Sequence, residues 1–435
     1  MNSEQSANAV TRRRFLTTSA KAMIGTGAGL LFLPRRVFGA NDRVVIGHIG
    51  VGGMGNGHVG WFAGHQDVDT AAICDVDRNR CQQTLKRLQG MRPDTKAEAY
   101  YDFRRVLERS DIDAITCATP DHWHALISIL AFQAGKDVYS EKPLCHTFAE
   151  GEALRKAGRR YRRVFQLGTQ IHEGENYHRV VELVRSGALG KIHTVRIWKN
   201  GGAGDFGYPP ETDPPPELDW NLWLGPAPWH PYVPQRCHFN FRYFWDYSGG
   251  VYADFWCHIA DICFWAMDPG QPRTIEARGE VPNGIADTPA WVDVDYQFPD
   301  VRVYWTTNTP DVPGAAGKGI GCQFEGTNGS LACDYGSRVI FLDGKQMDDL
   351  PEVPKTLPRS RGHQRDFLDC VKSRALTESN LEYVRVMTIP LHLGCVSFRL
   401  KRKLTWDAEQ GRCVGDSAAN ALLSQPYRAP WYLPV

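Results

Sequence analysis

From residue 44 onward, short apolar runs alternate with longer segments whose apolar residues recur at helical spacing. Residues 44–49 (Val-Val-Ile-Gly-His-Ile) read as a buried strand ending at Gly50, and the segment after Gly55 suits a helix. Residues 70–74 form a second strand closed by Asp75, and residues 111–118 a third, followed by a helix over about 123–134. Strand-like runs at 137–140 and 163–167 continue the alternation. Strands separated by helix-length segments predict an α/β fold with a doubly wound parallel sheet, covered on both faces.

After Gln170 the period changes. A helix is expected over about 177–186, then a strand at 192–198. Period-two runs follow at 291–298 and 301–305, with turn residues Pro299-Asp300 and Asn328-Gly329. Such alternation predicts an antiparallel sheet with one covered face, hence an α+β second domain, closed by helices near 363–373 and 381–400. Residues 200–247 fit neither pattern: Pro209-Pro210 and Pro214-Pro215-Pro216 break regular structure, so this is an irregular excursion far longer than an ordinary connection. It is rich in aromatics, and seven of the thirteen tryptophans fall between Trp198 and Trp265.

Composition narrows the function classes. The 435 residues are 42% hydrophobic, enough for two cores, and carry a net charge of +1 without a long charge run. Nucleic acid is thereby disfavoured as a partner, as is an anionic membrane surface. None of the twelve cysteines falls in a CxxC pair or a Cys/His metal spacing, so no metal site is expected and the cysteines read as buried small apolar residues.

Residues 1–40 read as a twin-arginine signal: Thr11-Arg12-Arg13-Arg14-Phe15-Leu16, then a glycine-softened apolar run over 22–33 and a short basic tail. That run is too short to span roughly 30 Å of hydrocarbon as a stable helix, though an uncleaved leader serving as an anchor is the alternative. The reading predicts a periplasmic or otherwise exported protein, with the twin-arginine export machinery as a partner. Because that route carries folded proteins, any nucleotide should travel tightly bound. Residues 41–170 and 171–435 are then the two domains.

Gly50-Val51-Gly52-Gly53-Met54-Gly55 links the first strand to a helix, the arrangement in which backbone amides approach a pyrophosphate. Asp75, twenty residues on at the end of the next strand, can accept both hydroxyls of an adenosine ribose. NAD is favoured, but Arg78 or Arg80 could reach a 2′-phosphate, which keeps NADP open. Thr119, Pro120, His122 and His124 follow one buried strand and Glu141-Lys142-Pro143 the next, both at carboxyl ends where such sheets bind ligands. Lys142 can donate to a substrate oxygen, and desolvation there would lower its pKa; a plain surface lysine is the alternative. Asp254 and His258, at i and i+4 of an expected helix over about 250–265, share one face, which Asp261 extends. The imidazole can take an alcohol proton while the carboxylate orients it; a structural role for the same group is equally compatible with the sequence.

Taken together, these motifs resemble the Gfo/Idh/MocA oxidoreductases, the glucose-fructose oxidoreductase and inositol dehydrogenase family. The resemblance rests on residues 50–55, Asp75, the Ala118-Thr119-Pro120 strand end with His124, Glu141-Lys142-Pro143, and the DxxxH element at 254–258. It implies a Rossmann domain followed by a domain with a large, open, mainly antiparallel sheet through which homo-oligomers form. It further implies Lys142 beside nicotinamide and substrate, His258 as acid/base and Asp254 as its partner. The expected activity is hydride transfer between a sugar or cyclitol hydroxyl and bound NAD(P), with Gln170, Trp245 and Tyr252 as candidate substrate contacts. Some relatives instead hydrolyse glycosides by transient oxidation, elimination and rehydration, and a non-catalytic sugar-binding protein is a third class.

Overall fold

The computed structural model describes residues 43–434, and the leader lies outside them. The first sheet has six parallel strands in the order β3-β2-β1-β4-β5-β6. In chain order these are β1 (Val44–Ile49), β2 (Val68–Cys74), β3 (Glu98–Tyr100), β4 (Ala114–Cys117), β5 (Asp137–Glu141) and β6 (Phe165–Gly168). The helices between them are α1 (Gly53–Ala63), α2 (Arg78–Met91), α3 (Phe103–Leu107), α4 (Asp121–Gln133) and α5 (Phe148–Tyr161). β4, β5 and β6 are buried at every position, which is why they read as apolar runs rather than alternating ones. β4 starts later than residue 111: the Asp113 carboxylate accepts from the Val45 amide at 2.9 Å, fastening the approach to β1 with a side chain.

The order reverses between β1 and β4, and the crevice outside the carboxyl ends of those strands is where such sheets take ligands. β1 delivers the glycine turn there, β2 Asp75, β4 Thr119 and Pro120, and β5 the Glu141-Lys142 pair.

The second sheet has ten strands in the order β14-β13-β12-β11-β7-β10-β9-β8-β15-β16. They are β7 (Ile192–Lys199), β8 (Thr274–Glu280), β9 (Trp291–Gln297), β10 (Arg302–Thr306), β11 (Ile320–Gly326), β12 (Gly329–Cys333), β13 (Arg338–Leu342), β14 (Lys345–Met347), β15 (Leu404–Asp407) and β16 (Arg412–Cys413). Its pairings are antiparallel except β7 with β10. Burial alternates along β9 as the period-two pattern requires: Val292, Val294 and Tyr296 turn inward and Asp293 and Gln297 outward. The outer face carries ion pairs, Arg302 with Asp295 and Arg278 with Glu276.

The inner face is covered by α6 (Glu175–Arg185), α8 (Gly250–Met267) and α10 (Leu381–Leu400); α7 (Trp220–Leu224) belongs to the excursion and α9 (His363–Ser373) packs against the first sheet. Apolar on nearly all sides, α8 is buried along most of its length, the environment such a helix needs. It begins where Gly250 takes φ +77°; a Cβ there would meet the Thr288 side chain at 2.9 Å. Its carboxyl end is closed by Asp268 in the left-handed region.

The excursion is irregular but not loose. Trp220 and Trp223 stack with centroids 4.7 Å apart, and Tyr232, Phe241, Phe244 and Tyr247 complete a small aromatic core of its own. All twelve cysteines are free, and all but the partly exposed Cys395 are buried. Among the described residues no helix is long and apolar enough to cross a membrane, and no cluster of His, Cys, Asp and Glu could hold a metal ion.

Candidate active site

A cavity of about 550 Å³ runs along the carboxyl ends of the parallel strands, from Asp75 and Arg80 at one end to Glu141 and Lys142 at the other. Its floor is the glycine turn, where no residue with a side chain fits at two positions. Gly50 has φ +76°, and a Cβ on it would lie 2.8 Å from the Ala118 and Thr119 backbone; on Gly55 it would lie 1.8 Å from the Gly50 carbonyl oxygen. At Gly53 a Cβ would meet nothing, so that face is open toward the cavity. No side chain caps α1, whose first-turn residues Gly53 and Met54 line the cavity beside Gly52, leaving a helix N-terminus free for an anion.

Asp75 is oriented by two backbone donors, the Val51 amide at 2.8 Å and the Asp77 amide at 2.9 Å. Burial raises its pKa, and those two hydrogen bonds counter only part of that. Arg80 reaches the same end of the cavity, 3.6 Å from Asp77, whereas Arg78 lies over the Tyr101 ring at 4.3 Å and does not line it. Glycine floor, free helix terminus and ribose-side carboxylate fit a dinucleotide.

At the other end, Lys142 is buried and its Nζ donates to the Asp254 carboxylate and, at 3.2 Å, to the Asp254 carbonyl oxygen. Burial alone would lower the Lys142 pKa, but Asp254, then Glu141, overcome it and raise it. The lowering expected from desolvation is therefore reversed, and Lys142 is an ammonium. Burial likewise opposes the Asp254 carboxylate, yet Lys142 and Arg242 hold its pKa well below the usual range. Arg242 Nε lies 3.0 Å from Asp254 Oδ2. Asp254 thus bridges two cations and does not hydrogen-bond His258, correcting the expectation that it orients that ring.

One turn along α8, His258 is partly exposed. Burial and the Lys142 charge push its pKa down to about 4, against the opposing pull of Asp254 and Glu141. It is a neutral imidazole at neutral pH, with the Tyr335 ring edge-on at 6.3 Å. Glu141 accepts from His58 Nε2 at 2.9 Å and from the Gln170 amide at 3.3 Å. Burial pushes the Glu141 carboxyl up, but His58 and Lys142 bring it down to about 2.

Several predicted residues lie elsewhere. His124 directs its ring nitrogens at the Pro143 and Thr119 carbonyls, 2.7 and 2.8 Å away, and so ties two strand ends together beneath the cavity rather than lining it. His122 faces the Trp223 carbonyl at 3.2 Å and is buried against the excursion; burial lowers its pKa to about 3. Tyr252 is core: its hydroxyl meets that of Tyr296 and its ring packs on Trp256 and Trp305. Trp245 lines a separate cavity of about 310 Å³ and lies under Arg399. Asp261 faces away from the site, toward His172 at 3.1 Å and Tyr383. Thr119, Pro120, Glu141 and Lys142 do line the main cavity. Sequence reasoning missed Arg242, Trp223, His58 and Tyr335. Only the aromatic density of 200–247 hinted at the first two.

The chain matches the oxidoreductase-family model described as an NAD-binding Rossmann fold over residues 44–169 and its C-terminal alpha/beta domain over residues 174–433. It belongs to that family, the Gfo/Idh/MocA oxidoreductases, and its first domain is an NAD-binding domain. Among curated proteins it is similar to a glycosyl hydrolase family 109 protein of Shewanella pealeana, 30% identical over 154 residues, which is 35% of this chain and 34% of the relative. It is also similar to an alpha-N-acetylgalactosaminidase of Shewanella oneidensis, 28% identical over 178 residues, 40% of this chain and 37% of the relative. The matches thus span about a third of those relatives' length. Solved structures with the same fold include the WlbA dehydrogenase from Bordetella pertussis in complex with NADH and UDP-GlcNAcA (TM-score 0.62, 17% identity, 84% of this chain and 98% of that one). Levoglucosan dehydrogenase in complex with NADH and levoglucosan is another (TM-score 0.58, 18% identity, 84% and 99%).

Proposed function

We propose that the protein transfers a hydride between a ring hydroxyl of a sugar or cyclitol and NAD, with His258 exchanging the hydroxyl proton. The observation that carries this is Lys142, which lines the far end of the dinucleotide cavity as an ammonium, with His258, a neutral and partly exposed imidazole, one turn along α8 from the Asp254 that pairs with that lysine. Bound NAD supplies the hydride acceptor. Of the three Lys142 protons two are committed to Asp254, leaving one to donate to the substrate oxygen and fix its orientation. His258 takes the alcohol proton in its neutral form. Burial and the Lys142 charge make the imidazolium unfavourable, so the proton passes on to solvent rather than staying. Tyr335, 43% exposed and next to His258, offers an aromatic face to the ring. The sugar-type ligands of the structural relatives support the substrate class.

NAD rather than NADP is favoured because the Asp75 carboxylate at the ribose end of the cavity would repel a 2′-phosphate, and Arg80 beside it already faces Asp77 at 3.6 Å. Export through the twin-arginine route with the nucleotide aboard belongs to the same reading, as does a homo-oligomer formed through the outer face of the ten-stranded sheet. Sedimentation at micromolar protein tests the latter, and a monomer would refute it.

Similarity to the family 109 hydrolases favours a second reading, redox-neutral cleavage of a glycoside. Product analysis on glycosides without added NAD separates the two. Keto-sugar with reduced nucleotide supports net oxidation; free sugar at constant nucleotide redox state supports hydrolysis.

A further inference from the structure

The cavity that takes the nucleotide has a roof as well as a floor. Leu222, Trp223, His238, Phe239, Phe241 and Arg242, all from the excursion, line it together with the glycine turn. This roof is fastened to the Rossmann domain beside the nucleotide's own binding residues. The Asp219 amide donates to the Val76 carbonyl and the Arg78 amide to the Glu217 carbonyl, each at 3.0 Å, one and three residues past Asp75. His238 Nε2 lies 3.5 Å from the Asp77 carboxylate. On α4, Trp123 Nε1 donates to the Trp223 carbonyl at 3.1 Å. Later in the chain, Arg428 donates to the Asn221 carbonyl at 2.8 Å and the Gly225 carbonyl at 3.0 Å.

We propose that residues 237–242 form the outer wall of the nucleotide site and make NAD a resident group that stays bound from one turnover to the next. The wall spans the cavity between the Asp75 end and the Lys142 end, so a dinucleotide lying along the glycine turn leaves only when this segment swings out. His238 is the point from which it swings: its φ of +51° is a left-handed conformation uncommon for a residue with a side chain, held by the contacts on either side. Phe239 is 66% exposed while its ring lies against the Arg242 guanidinium at 4.5 Å, which places it at the mouth of the cavity rather than in a core. Its truncation opens the mouth without unfolding the excursion.

The inference rests on the family's NAD binding, and one experiment tells the two apart. The full chain is loaded with NADH, mixed with excess NAD in a stopped-flow fluorimeter, and the loss of bound-NADH fluorescence is timed for the wild type, for a His238→Ala/Phe239→Ala variant and for Trp229→Ala. Trp229 is an exposed excursion residue that does not line the cavity. The wild type should release NADH over minutes or longer, the double variant at least tenfold faster, and Trp229→Ala at the wild-type rate. Equal rates for the wild type and the double variant, with NADH bound by both, overturn the wall and leave NAD binding intact. Absence of any bound-NADH signal overturns both.

Discussion

Replacing Asp254 with Asn removes one charge from a buried triad and keeps its shape. In the native site Asp254 is the counter-ion of Lys142 and lies 3.0 Å from Arg242, and burial alone would depress Lys142. Without the carboxylate, Lys142 is a buried cation facing another cation. Breaking a buried pair from one side costs about 3–5 kcal/mol. At roughly 1.4 kcal/mol per pH unit, a penalty of that size should bring the Lys142 pKa of the variant well below its ordinary value instead of above it. Its folded pKa then lies below its unfolded one, the unfolded state binds the extra proton, and stability rises with pH through that window. The expected result is a deficit of about 4 kcal/mol at pH 7 that shrinks by about 1.4 kcal/mol per unit toward pH 10, measured by denaturant unfolding of both proteins across the range. Adding Lys142→Met should recover most of the deficit at pH 7. A deficit that is independent of pH, or one that Lys142→Met deepens, would refute the account of Asp254 as the group that keeps Lys142 charged.

Further outcomes follow from the same geometry. His258→Ala should lose turnover by about 100-fold or more while retaining nucleotide, assayed as sugar-dependent NADH formation beside the absorbance of nucleotide released on denaturation; intact turnover would remove His258 from the reaction. For the wild type, kcat/KM should show no acid limb near pH 6.5 while the protein stays folded, and such a limb with the fold intact by circular dichroism would contradict the depressed His258 value. Tyr335→Ala should raise KM several-fold with a smaller effect on kcat, consistent with loss of a stacking face worth about 1 kcal/mol. Acid should unfold the protein early: burial holds His48, His122, His146 and His392 at about 3 to 4, below the ordinary 6.5, so the unfolded state takes up protons that the folded state refuses. Stability should therefore fall as pH drops from 6.5 toward 4, and a flat unfolding profile across that window would count against these burials.

Where side chains follow from local periodicity, the sequence was a sufficient guide. The helix expected over 381–400 is α10 to the residue, and the alternation at 291–298 is the in-out pattern of β9. The glycine turn was legible because its constraint is steric and local: a Cβ at Gly55 collides with Gly50, five residues away. Arg242 was not, since it meets Asp254 of α8 only because the irregular stretch between them turns the excursion back onto that helix, and no spacing rule reports that return. His122, His124, Trp245 and Tyr252 show the converse. The first three stand within a few positions of a residue that lines the cavity and Tyr252 two positions before Asp254, but a shift of one or two along a helix or loop turns a side chain from site to core. The sign of the Lys142 shift depended in turn on a carboxylate 112 residues away, which no reading of burial alone could supply.

Arg428 and Trp431 have a consequence for the order in which the molecule is made. Trp431 packs against Trp123 and Phe103 with centroids 4.9 and 6.1 Å apart, while Arg428 ties Asn221 and Gly225 to the same region. The Arg428 contacts join positions 203 and 207 residues apart, with most of the second sheet between them in sequence, so this part of the fastening forms only when that sheet is in place. The wall over a site in the first domain is thereby coupled to completion of the second.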